Sequence, residues 1–278
     1  MLELLLPPLV ACLLIVALHS YLGLHIIARE VIFVDLALAQ MAALGGTVAL
    51  LVGIDHHSPT ALGFGLGFTT VGAAIFSLTR TSDSGRVPQE AIIGIVYVVA
   101  SALAILVADR VPHGGEAIEE ILVGNLLWIT WPTILRLAGI YAVIGLIQYR
   151  LRHRFLTISL QPETAIAAGW RIKWWDFLFY LLFGVVITFS VPIAGVLLVF
   201  SFLVVPAVIA FLFTDDPKKL SVYSWLAGLA ASAGGLAASF QFDLPTGPLI
   251  VAAFGALLVA TWAWRRVAAV LAPAATNS

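Results

Sequence analysis

Charge is scarce in this chain: 10% of its 278 residues are Asp, Glu, Lys or Arg. An ordinary soluble domain carries about a quarter. The formal net charge of -1 offers no basic surface for nucleic acid. The single cysteine, Cys12, excludes an internal disulfide and leaves the redox compartment open. No Gly-x4-Gly-Lys-Ser/Thr phosphate loop is present, and no lysine follows a glycine, so ATP is not bound by that motif. His-Glu-x2-His is missing too, which argues against an intramembrane metalloenzyme. Met1-Leu-Glu-Leu lacks the basic start of a secretory signal, and no small-residue cleavage pattern follows, so the first apolar run is expected as a retained span.

What is there is apolar, at 62% of residues. A helix crosses the hydrocarbon core with about 20 apolar residues, and the chain offers roughly nine such runs. They fall near 4–26, 30–53, 60–79, 88–108, 121–148, 174–191, 193–213, 220–240 and 246–264. The fifth is too long for one span and is interrupted at Trp131-Pro132, which predicts a short interfacial helix followed by a span. The expected fold is all-α and polytopic, with eight or nine transmembrane helices in one domain over residues 1–278. With nine alternating spans, Arg29, Arg80, Arg86, Arg150 to Arg154, Arg171, Lys173, Lys218, Lys219, Arg265 and Arg266 fall on one side. Only Arg110 and Arg136 fall on the other. Lys and Arg collect on the cytoplasmic side, so the N-terminus is expected outside and the C-terminus inside.

Small residues recur within the runs, at Gly63, Gly65 and Gly67, at Gly228, Gly234 and Gly235, and through Ala230-Ala-Ser-Ala233. They predict close helix approach. Pro206 stands inside an apolar run ahead of Asp215-Asp-Pro-Lys-Lys219. A proline there is expected to bend or break the helix and leave a short cytoplasm-facing helix for a soluble partner. Phe240-Gln-Phe-Asp-Leu-Pro-Thr-Gly247 predicts a tight turn starting the last helix.

Five segments carry a family resemblance. They are Val31-Ile-Phe-Val-Asp-Leu-Ala-Leu-Ala-Gln-Met-Ala-Ala-Leu-Gly45, Gln89-Glu-Ala-Ile-Ile-Gly-Ile-Val-Tyr97, Glu120-Ile-Leu-Val-Gly-Asn-Leu-Leu127, Ile193-Ala-Gly-Val-Leu-Leu-Val-Phe-Ser-Phe-Leu-Val-Val-Pro-Ala207 and Asp243-Leu-Pro-Thr-Gly247. In this order they resemble the membrane-spanning subunit of bacterial ABC importers for zinc, manganese and iron. The resemblance implies a homodimeric permease of the inner membrane with a central pathway for a divalent metal ion. It also implies cytoplasmic ATPase subunits and a soluble metal-binding protein docking outside. It makes Pro206, Ala207, Val208, Ala210 and Thr214, within a region of about 206–219, the contact with the ATPase. No cofactor bound for catalysis is expected, since the metal is cargo.

That family usually carries an Asp followed four residues later by a His, which face the same way on a helix. Here the alignment puts Leu36 and Gln40 at those positions, and Asp35 sits one residue early, about 140° from Gln40. Three readings stand open. Asp35 pairs with Arg29 or water at the interface while Gln40 bonds another helix. Alternatively, Asp35 and Gln40 line the pathway as oxygen ligands, helped by His19 or His25, a set that leans toward manganese or iron over zinc. Pairing both histidines around one ion needs a helix break, for which Gly23 is placed. The third is that the cargo is not a bare ion but a metal chelate or another solute. A rival class is a secondary carrier with Asp35 as its titrating group.

Asp55, His56 and His57 place three potential ligands in an outer loop, set against the plainer reading of solvated side chains. Glu90 follows Pro88 at a span start, where the helix dipole favours a carboxylate. Glu116, Glu119 and Glu120 share a helix face, either solvated or part of an outer docking surface.

Overall fold

A computed structural model describes residues 2–55, 58–80, 87–111, 114–214 and 216–271. Among the described residues the chain is helical throughout, apart from turns. The helices are α1 (Leu2–Ala28), α2 (Val34–Leu51), α3 (Pro59–Leu78), α4 (Gln89–Ala108), α5 (Gly114–Val123), α6 (Trp131–Leu160), α7 (Pro162–Ala167), α8 (Ile172–Ala194), α9 (Val196–Phe211), α10 (Pro217–Phe242) and α11 (Thr246–Leu271). A tight single turn, Leu126–Trp128, separates α5 from α6. Eight of them, α1 to α4, α6, α8, α10 and α11, are long and apolar enough to cross a membrane. The all-α polytopic fold is as the sequence predicts.

The expected fifth span divides as its Trp131-Pro132 step requires, with Pro132 in the first turn of α6, where its missing N–H costs no helical bond. The helix then runs to Leu160 and not to 148. Its 30 residues reach about 45 Å, some 15 Å more than the hydrocarbon core. Arg150, Arg152 and Arg154 ride on this extension, where Arg154 stacks on Trp170 at 4.0 Å.

The run near 193–213 is corrected in two respects. It forms α9, whose 16 residues are short for a span. Pro206 does not break it into a separate helix, because α9 continues to Phe211. Helix α9 packs on α1, α10 and α11, and neighbouring helices of this kind let a membrane helix continue through a proline. A helix apolar all round belongs in the interior, and Leu198, Val199, Phe202, Leu203, Ala207 and Ala210 are buried.

Two ends of the bundle are distinguished by their bonding. At one, Gly195 joins α8 to α9 with φ +78°, a conformation open to glycine. A Cβ there would meet the Val123 carbonyl carbon at 2.4 Å, and one on Gly124 would meet Gly195 N at 2.3 Å. Asn125 N donates to Ile193 O (3.1 Å), and Gly247 lies against Val123 O. Three of the five quoted segments therefore meet at one corner. At the opposite end, the end of α1, the end of α3, the start of α4, the end of α6 and the start of α8 are tied by side chains. Arg29, Arg80, Arg171 and Lys173 gather there, while Arg136 lies toward the glycine corner. The small-residue expectation holds in part. Gly65, Gly228 and Gly235 sit in helix contacts, whereas Gly63, Gly67 and Gly234 face open space.

Candidate functional site

A cavity of about 670 Å³ enters the bundle at the glycine-corner end between α2, α3, α6 and α8. Its wall is mostly apolar, with Ser58, Asn125, Thr130, Thr133, Arg136 and Thr188 as its polar groups. Ser58 also caps α3 by accepting a hydrogen bond from Ala61 N (3.2 Å), so the cap fixes the rim. Ala42, Ala43 and Gly46 form the α2 wall. Leu36 and Gln40, both half-buried, do not line it, and Gln40 is about 160° around the helix from Ala42.

Asp35 is seven residues before Ala42 and eleven before Gly46, on the same face of α2 and about two turns deeper than the lined wall. It is 1% exposed, and neither carboxylate oxygen has a hydrogen-bond partner among the described residues. The interfacial pairing with Arg29 is not formed. Arg29 instead donates to Asp176 Oδ1 (2.8 Å) and to Ser159 Oγ (2.7 Å), and its guanidinium stacks over Phe179 at 4.1 Å. Tyr141 of α6 is 6% exposed. The Tyr141 hydroxyl bonds Ser190 Oγ, which donates to Val186 O, so the tyrosine is the donor of that pair.

The two histidines do not come together. Helix α1 is continuous through Gly23, where a Cβ would stand 2.1 Å from Leu203 O. The glycine serves close packing on α9 and not a break. His19 Nδ1 lies 2.9 Å from Ile15 O, and its ring is 6.2 Å from that of Tyr141. His25 Nδ1 lies 2.9 Å from Ser159 Oγ, with its ring against Tyr21 and Phe179. The Nε2 atoms of both are buried without partners. Among the described residues no three His, Cys, Asp or Glu side chains are grouped to hold a metal ion.

Sequence reasoning missed Tyr141, Gln148 and Asp176. Gln148 is 2% exposed with both amide atoms unpartnered, two turns from Tyr141 on the same buried side of α6. A carboxamide inside an apolar run was its available signal. Asp176, fully buried, binds Arg29 and Arg80 at once. Nothing local marks it, because both cations are distant in sequence.

Of the segment assigned to ATPase contact, Pro206, Ala207 and Ala210 are buried in the bundle, and Val208 is half-buried. Ala207 faces Gly23. Thr214 is half-buried beyond the helix, where its hydroxyl accepts from Asp216 N (3.2 Å). Glu90 Oε1 accepts the Phe33 N–H (3.0 Å), so it secures the start of α2 from α4. Gln89 bonds Phe76 O (3.1 Å) and the Tyr180 hydroxyl. Asp55 precedes the cavity rim, and His56 and His57 lie outside the described residues. Glu116 and Glu119 are exposed on α5.

Residues 1–265 match the sequence model of the ABC 3 transport family. A probable metal transport system membrane protein of Chlamydia pneumoniae is 25% identical over 236 residues, 82% of this chain and 78% of its own length. The manganese transport system membrane protein MntC of Listeria monocytogenes is 27% identical over 221 residues, 77% of either chain. Among solved structures, PsaBC from Streptococcus pneumoniae in complex with Fab shares the fold, with a TM-score of 0.77, 21% identity, and coverage of 93% of this chain and 91% of that one.

Proposed function

We propose, from the premise that this chain belongs to the ABC 3 transport family, that it is the membrane-spanning subunit of an ATP-driven importer for a divalent metal ion. Zinc, manganese and iron are the candidates. The observation that carries this reading is the family match across residues 1–265. The cavity gives the cargo an entry between α2, α3, α6 and α8.

In this reading the glycine-corner end faces outward, where a soluble metal-binding protein delivers the cargo. The arginine-rich end faces the cytoplasm and its ATPase subunits, as positive-inside asymmetry favours. Two copies of the single-domain permease enclose the pathway. ATP is hydrolysed by the partner, since this chain carries no phosphate loop. The burial of Pro206, Ala207 and Ala210 moves the proposed ATPase contact toward Phe211 to Lys219, where Phe211 and Phe213 are exposed. The unpartnered Asp35, on the face of α2 that carries Ala42 and Gly46, and Gln40 are the proposed pathway groups. His19 and His25 are supporting groups held by their own hydrogen bonds.

One observation favours a second reading, transport of a metal chelate. The family's Asp and His positions are Leu36 and Gln40, and an Arg136 guanidinium lines the cavity. The experiment is uptake into vesicles carrying the full complex with ATP, comparing radioactive zinc, manganese and iron as free ions and as citrate complexes. ATP-dependent accumulation of a free ion supports the first reading and of the complex alone the second. Accumulation no greater than in vesicles lacking the chain removes both.

A further inference from the structure

The cavity and the Arg29, Asp176 and Arg80 cluster occupy opposite ends of the same helices. Helix α3 lines the cavity near its start with Ala61 and Gly65, and Arg80 follows its end. Helix α6 lines it with Thr133 and Leu137, and its last turn brings Ser159 to Arg29. Helix α8 lines it with Thr188, about 18 Å along the helix from Asp176. Beyond the cavity, toward the other end of these helices, one fully buried carboxylate holds them together.

How that carboxylate is used is the second observation. Its two oxygens take cations from two different helix ends: Oδ1 accepts from Arg29 after α1, and Oδ2 accepts from Arg80 after α3. Through Arg29 and Ser159 the cluster also reaches α6 and the His25 ring. In a low-dielectric interior, parting these helices strands a charge unless water enters, so the cluster resists separation as a unit. The two arms differ. The Arg29 side chain is 3% exposed and that of Arg80 is 22% exposed, so Arg80 can trade its bond for water while Arg29 keeps its own.

Resting on the reading of the chain as a transport subunit, we infer that Asp176 is a positioning residue of the transport cycle. It is an ionic latch that holds the far end of the cavity shut, and its Arg80 arm releases when α3 and α8 part to let cargo leave. The latch touches no cargo and acts through the helices it joins.

The test uses site-directed thiol labelling of the full-length chain in membrane vesicles of both orientations. Cys12→Ala removes the native thiol, and Ala42→Cys, on the cavity wall of α2, reports access to a membrane-impermeant maleimide. With the latch intact, labelling is expected from the cavity side alone. Arg80→Gln or Asp176→Asn is expected to raise labelling from the opposite side about tenfold, a population shift toward the open end. Asp176→Glu is expected to restore one-sided labelling. If Asp176→Asn does not elute as a folded protein in detergent, Arg80→Gln decides, because it leaves the Arg29 pair in place. One-sided labelling in a folded Arg80→Gln overturns the latch and leaves a merely structural ion pair. The labelling needs neither cargo nor nucleotide, and ATP-driven metal uptake in the same vesicles reads the transport role separately.

Discussion

Asp35 is a carboxylate with no bonding partner among the described residues, placed 1% exposed in a helix that reads as apolar. Such a group is expensive within a membrane and persists where it has a task. Asp35→Ala is expected to abolish metal-dependent growth rescue of an uptake-deficient strain while leaving the protein in the membrane at normal levels. Undiminished rescue would remove Asp35 from the pathway. Gln40 offers the complementary experiment, since it stands where the resemblance expects an imidazole. The double change Leu36→Asp with Gln40→His rebuilds two ligands four residues apart on one side of α2. Purified protein carrying both is expected to bind zinc about tenfold more tightly or better, as read by calorimetry. Unchanged zinc binding would show that this side of α2 does not meet the ion.

At the scale of elements, α8 and α9 depend on one residue between them. Gly195 has φ +78° and ψ 156°, a region that side chains other than hydrogen do not occupy without strain. Gly195→Ala also drives a Cβ into the Val123 carbonyl. The cost is expected at about 2 kcal/mol or more, seen as a lowered unfolding temperature in detergent and poor recovery from the membrane. Pro206 gives the opposite forecast. Because α9 passes through it unbroken, Pro206→Ala restores a backbone donor in a continuous helix and is expected to leave thermal stability unchanged or raise it, by up to about 3 kcal/mol. A large loss of stability would mean that the proline shapes α9 in a way its continuity conceals.

For the whole molecule, the energy for transport comes from outside the chain in the proposed mechanism. Tagged permease is expected to co-purify with an ATPase subunit and to accumulate metal in vesicles when ATP is present. Accumulation against a gradient by the isolated chain without nucleotide would place it among secondary carriers. The architecture agrees with the division of labour. A cavity opens at one end, and a fully buried carboxylate holding two arginines closes the other.

The sequence by itself determined the helical, membrane-embedded class, most of the helix positions, the Trp131-Pro132 break and the separation of basic residues to one end. Each follows from composition, run length or a local backbone rule, and local rules are readable along a chain. Tertiary structure decided what depends on residues far apart in number. It gave Arg29 to Asp176 instead of Asp35, kept α9 whole through Pro206, and turned Gly23 from a break into a contact with α9. It also gave the buried Tyr141 and Asp176 partners that no spacing could reveal. In a bundle where nearly every face is apolar, hydrophobic pattern no longer says which face meets which neighbour. Polar partners and close helix crossings settle that, and both are properties of the folded chain.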